Sequence, residues 1–82
     1  MDVKAYILVR IDAGHVIEVA EQFVKLSDVK KVTTTYGITD LILEVESATL
    51  EDLDNFVFNQ IRKVSGVRET NTVIAARVLH ST

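Results

Sequence analysis

The amino-acid sequence predicts an α+β domain of βαββαβ order, and three observations carry that prediction. Four segments are rich in β-branched and aromatic residues, the signature of strands. Two others repeat their apolar residues at i, i+3, i+4 and i+7, the period of a half-buried helix. Only a short glycine-bearing stretch separates the two middle strands, so they read as a hairpin.

The first strand holds Val3, Ala5, Ile7, Val9 and Ile11 on one parity and Lys4, Tyr6, Leu8 and Arg10 on the other. Successive strand side chains point to opposite faces, so the first set predicts a core face and the second a partly polar one. Asp12, Ala13, Gly14 and His15 break the pattern, with Asp12 expected to cap the following helix. Val16, Val19, Ala20, Phe23 and Val24 form that helix's apolar stripe, and Glu18, Glu21, Gln22 and Lys25 its wet side. A second strand is expected over 29–36, a turn at 37–40, and a third strand over 41–46. Thr49 is a suitable N-cap, with Glu51 and Asp52 in the first turn, where the helix dipole favours acids. Leu50, Leu53, Phe56, Val57, Ile61 and Val64 then define the second helix, and Gly66 supplies its stop. The last strand is expected over 67–79.

Two right-handed crossovers around a hairpin give the ferredoxin-like plan, a four-stranded antiparallel sheet with both helices on one face. Both parities of the 67–79 segment are apolar, with Val73, Ala75 and Leu79 against Ile74, Ala76 and Val78. A sheet covered on one side only needs a wetter second face. The expectation is therefore a dimeric α/β sandwich in which the bare face meets a second copy.

With 82 residues the chain has room for one domain, taken as 1–82. Its net charge is −3 and no basic run exceeds Lys30-Lys31, which argues against direct nucleic-acid binding. The absence of cysteine excludes disulfides and thiolate chemistry. No apolar run reaches the roughly 20 residues of a membrane span, so a cytoplasmic protein is expected.

Few residues offer catalysis. His15 lies in a helix-entry loop and His80 in the tail, with no neighbouring nucleophile or paired carboxylate, and both read as solvated. Glu44 and Glu46 share a strand face and read as its wet side. No spacing suggests a metal site, and no cofactor is expected. Asn55 and Asn59, one helical turn apart, read as surface polar residues. The turn Tyr36-Gly37-Ile38-Thr39-Asp40 admits two readings. Glycine serves a turn that needs positive φ, and Asp40 can cap backbone N–H groups or face a ligand.

The run Thr35-Tyr36-Gly37-Ile38-Thr39-Asp40-Leu41, followed by Ile42-Leu43-Glu44-Val45, resembles the glycine-x-x-aspartate hairpin of the Lrp/AsnC effector domain, also called RAM. Phe56, Ile61, Val64, Gly66-Val67, Thr70, Thr72 and Val73-Ile74-Ala75 are similar to that family's second half. The resemblance covers essentially the whole chain. It implies an amino-acid effector bound between dimers, sheet-to-sheet dimers and an octamer of four dimers. It assigns Tyr36, Gly37, Ile38, Asp40 and Leu41 to the ligand loop, with Thr70 and Thr72 adding hydroxyls. A zwitterion needs an anion for its ammonium, which Asp40 can supply, and N–H donors for its carboxylate, which amides around Gly37 can supply. Family transcription factors carry a helix-turn-helix ahead of this domain, whereas this sequence opens on its first strand. A non-enzymatic module without its own DNA-binding part is therefore expected. The alternatives are a purely structural hetero-assembly partner of DNA-binding relatives and a small dimeric ferredoxin-like enzyme.

Overall fold

The computed structural model describes residues 2–82. Its elements run β1 (Val3–Ile11), α1 (Val16–Val24), β2 (Val29–Thr34), β3 (Leu41–Ser47), α2 (Leu50–Phe56) and β4 (Val67–Ile74). The strands form one sheet in the order β2-β3-β1-β4, and every neighbouring pair is antiparallel. This is the expected α+β, ferredoxin-like arrangement.

Period-2 alternation decides which face is dry. Ala5, Ile7 and Val9 of β1 stand opposite Val45, Leu43 and Leu41 of β3, and all six are fully buried. They meet Val19 and Phe23 of α1 and Leu53 and Phe56 of α2, so both helices lie on this face. Thr49 caps α2 as expected, its Oγ1 accepting from the Asp52 N–H at 3.0 Å.

The structure departs from the sequence expectation in five places. The first is the entry to α1. His15 occupies the cap position without a side-chain cap bond. Asp12 instead takes the His15 N–H on its carbonyl at 3.1 Å, and its carboxylate lies 3.6 Å from the Arg68 guanidinium. The second is β2, which stops at Thr34 because Thr35 already belongs to the turn. Its N–H donates to the Asp40 carbonyl at 3.0 Å.

The third concerns the stripes. Val24 is exposed, since 100° per residue leaves it about 90° from the centre of the α1 stripe. Leu50 is also exposed, because the first turn of α2 lies beside a surface cleft it shares with Val3, Ile74 and Val78 rather than over the sheet. The fourth is the continuation of α2 as a π-helical segment, Val57–Ile61, marked by the Arg62 N–H donating to the Val57 carbonyl at 2.9 Å. Val57 and Ile61 remain buried through it.

The fifth is the last strand, which ends at Ile74 and not at 79. A strand continues only while its ladder to a neighbour does, and the β1–β4 ladder ends at Ala5 and Ile74. The Ala75 N–H to Lys4 carbonyl bond, 2.9 Å, is the last rung. The tail alternation therefore contributes nothing to the bare sheet face. By register that face carries Tyr6 and Leu8 from β1, Ile42 from β3 and Val73 from β4. Lys4, Arg10, Lys31, Glu44, Glu46 and Glu69 lie on the same face, giving it an apolar centre with charges of both signs around it.

Candidate functional site: the loop between β2 and β3

Residues 35–40 join β2 to β3 and are tied down at their base. Thr39 is 7% exposed, and its Oγ1 donates to the Val9 carbonyl at 2.9 Å, with the Leu41 carbonyl at 3.1 Å. The Asp40 N–H reaches the same Val9 carbonyl at 3.0 Å. Thr35 closes the loop from the other side, its Oγ1 donating to the Thr39 carbonyl at 2.7 Å. Every bond in this set ends on backbone, which ties the base of the loop to β1 at Val9 and to β3 at Leu41.

Asp40 adds a longer tie. Its Oδ2 accepts from the Ile11 N–H at 2.8 Å, joining positions 29 residues apart. Ile11 sits where the β1–β4 register shifts, between Arg10 and Ile11. Such irregularities disturb the ladder, and a carboxylate is well suited to take a displaced amide. A carboxylate has about four lone-pair sites, so this bond leaves Asp40 capacity for a further donor.

The tip of the loop behaves differently. Tyr36 and Ile38 are large side chains held almost wholly in solvent. Gly37 between them has φ of 115°, a conformation that L side chains rarely adopt. A Cβ there would meet nothing within 4 Å, so the requirement for glycine is conformational and not steric.

The remaining residues assigned to the site fall nearby but apart. Leu41 is fully buried and forms the floor behind the loop. Thr70 pairs with Val9 from the side opposite Leu41, so the two lie about 10 Å apart across the sheet. Thr72 pairs with Ile7, further from the loop. Both threonines share the helix-side face of the outer strand, Thr70 half-buried and Thr72 exposed.

Asp40, Leu41 and Thr70 thus gather at one end of the sheet, while Tyr36 and Ile38 project beyond it. Two clefts are lined by other residues. One of about 490 Å³ is lined by Asp12, His15, Glu18, Gln22 and Gly66, and its His15 Nδ1 lies 3.4 Å from Glu18 Oε2. Another of about 400 Å³ lies at the opposite end of the sheet, beside Ser47 and α2. No group of three or more His, Asp or Glu among the described residues could hold a metal ion.

The sequence reading includes Thr35 and Thr39 in the hairpin but gives them no role, whereas their hydroxyls organise the loop. A threonine two residues beyond the glycine and next to the turn aspartate was the available signal, since short polar side chains in turns bond local backbone.

The fold and this loop define a class: a small ferredoxin-like module with a backbone-pinned, exposed loop between its two middle strands. Residues 4–82 match the family described as the Lrp/AsnC ligand binding domain, and the chain belongs to that family. It is 31% identical over 77 residues to the HTH-type transcriptional regulator FL11 of Pyrococcus furiosus, covering 94% of this chain and 50% of the relative. The chain thus spans about half the length of the curated relatives it matches. The structure of FFRP-DM1 is 42% identical, with a TM-score of 0.86 over 89% of this chain and 97% of that one. A transcriptional regulator from Neisseria meningitidis, solved as an L-Met complex, has a TM-score of 0.89 over 98% of this chain and 53% of its own. At 22% identity that likeness speaks to the fold alone.

Proposed function

We propose that the chain is an effector-binding and assembly module of a transcription-regulating family, with a free amino acid as effector. The observation that carries this reading is the contrast within residues 35–40. The base is pinned by Thr39 and Asp40, whereas Tyr36 and Ile38 are presented to solvent. Exposed large apolar side chains on a fixed backbone suit a surface that another copy covers. The effector then sits between copies, its ammonium at the unused capacity of Asp40 and its carboxylate at amides near Gly37. Thr70 and Thr72 contribute hydroxyls from the adjoining strand edge, and Leu41 backs the loop. The family match over residues 4–82, described as a ligand binding domain, supports a ligand site in this chain.

Assembly follows the same logic. Tyr6, Leu8, Ile42 and Val73 form the centre of a sheet-to-sheet homodimer, bordered by charges that pair across a two-fold axis. Four such dimers make an octamer in which the loops meet. Mixed assembly with HTH-type regulators of the same family is a second reading, favoured by the 31% identity to one of them across 94% of this chain.

The test is calorimetric titration of an amino-acid panel into wild type and Asp40→Asn. Asparagine retains an oxygen for the Ile11 N–H but loses the charge. Binding at millimolar concentration or better, weakened roughly tenfold or more by the substitution, is expected for a lost charge-assisted bond. Absence of binding across the panel, or equal binding by the variant, contradicts the assignment.

A further inference from the structure

Beyond β4 the chain continues as Ala75-Ala76-Arg77-Val78-Leu79, which keeps strand composition after the ladder to β1 has ended at Ala5 and Ile74. Among the described residues the backbone-to-backbone hydrogen bonds stop at the Ala75 N–H, so the residues after it present a row of free donors and acceptors. Their apolar side chains are equally bare, with Val78 65% and Leu79 85% exposed. Beside them lies a cleft of about 450 Å³, whose apolar lining includes Leu50, Ile74 and Val78 and whose charged lining includes Asp2, Lys4 and Arg77. Leu50 and Ile74 are each about half exposed, so large apolar groups gather here instead of lying scattered.

The two edges of the sheet are built differently. The β2 edge carries exposed Lys30 and Lys31 and a register shift between Val29 and Lys31. The β4 edge carries exposed Arg68 and Glu69 beside its own register shift against Arg10 and Ile11. Bulges and charges are the means by which sheet edges refuse a further strand. Residues 75–79 hold a single charge, Arg77, and are the part of this chain best suited to accept one.

The occupant must bring free strand donors and acceptors, apolar side chains for Leu50 and Ile74, and a cation for Asp2. The same segment of a second copy brings all three, the last as its own Arg77. Antiparallel pairing of a segment with itself is isologous, so it needs no other surface and closes at two copies. We propose that residues 75–79 pair with the same residues of a second copy, each laying Val78 and Leu79 over the Leu50–Ile74 cleft of the other. The inference rests on the homodimer reading and adds a second contact to it. Val73 of the bare sheet face and Ile74 of the cleft are adjacent in the chain, which allows one two-fold axis to serve both contacts.

Isotope-filtered NMR on an equilibrated mixture of labelled and unlabelled chains tests it. Intermolecular contacts from the Val78 and Leu79 methyl groups to Leu50 and Ile74 are expected. Val78→Glu, outside the core, is expected to weaken the dimer roughly tenfold or more in sedimentation while the circular dichroism spectrum stays unchanged. A dimer whose Val78 and Leu79 touch only their own chain, or a Val78→Glu variant of unchanged dimer affinity, would overturn the proposal and leave the sheet contact standing. A Leu8→Glu variant that stays dimeric, with the filtered contacts present, would instead overturn the sheet contact and uphold this one.

Discussion

Thr39 and Asp40 fix the loop by two kinds of bond, and their variants are expected to separate them. Thr39→Val keeps the volume but removes the donor to the Val9 carbonyl in a buried setting. A loss of about 1–2 kcal/mol is expected by urea denaturation, the usual consequence of a lost buried hydrogen bond. Gly37→Ala meets no atoms but must hold φ of 115°. The expected cost is about 1–2 kcal/mol, the penalty for a side chain in left-handed backbone. If Gly37→Ala is neutral, the loop relaxes and the argument for a fixed tip is wrong. At this scale the sequence was partly readable. The glycine and aspartate announced a turn by their chemistry, but the partner of Asp40 lies 29 positions away at Ile11. Local spacing holds no trace of a bond that only the sheet creates.

At the scale of elements, periodicity located the strands and helices because burial selects it. Ala5, Ile7 and Val9 alternate in sequence and lie together in the core. Phe23, fully buried where α1 meets the sheet, is the natural probe of that packing. Phe23→Ala is expected to lose about 3–5 kcal/mol, a large share of the stability of a chain this short, measured as a fallen denaturation midpoint. Thr49→Ala is expected to lose about 1 kcal/mol by the same measurement, since it removes the acceptor for the Asp52 N–H. Element ends were less legible, for a physical reason. The segment after Ile74 keeps strand-like composition, yet its ladder to β1 ends at Ala5 and Ile74, with one further bond from the Ala75 N–H to the Lys4 carbonyl. The π segment was hidden as well. Leu53, Phe56, Val57 and Ile61 fit an ordinary helical stripe, and only the bond from Arg62 to Val57 reveals the extra residue in the turn.

For the whole molecule, the bare sheet face carries the assembly argument. Leu8→Glu places a carboxylate at its apolar centre without touching the core and is expected to shift sedimentation from dimer or larger species to monomer at micromolar concentration. An unchanged sedimentation profile would exclude that face as the contact. The number of copies per assembly depends on surfaces that a single chain does not order by periodicity, which is why the sequence spoke through family likeness there and not through its own pattern. The candidate effector site follows the same division. Its pinned base belongs to this chain, and on the proposed reading its cover belongs to a neighbour.

The central claim is that residues 35–40 form an amino-acid site, and the most direct measurement is an amide-resolved NMR titration with a panel of free amino acids. The account predicts saturable shifts concentrated on Tyr36, Gly37, Ile38 and Asp40, with smaller ones at Thr70. Shifts that never saturate, or a saturable response confined to residues away from this loop, would contradict it.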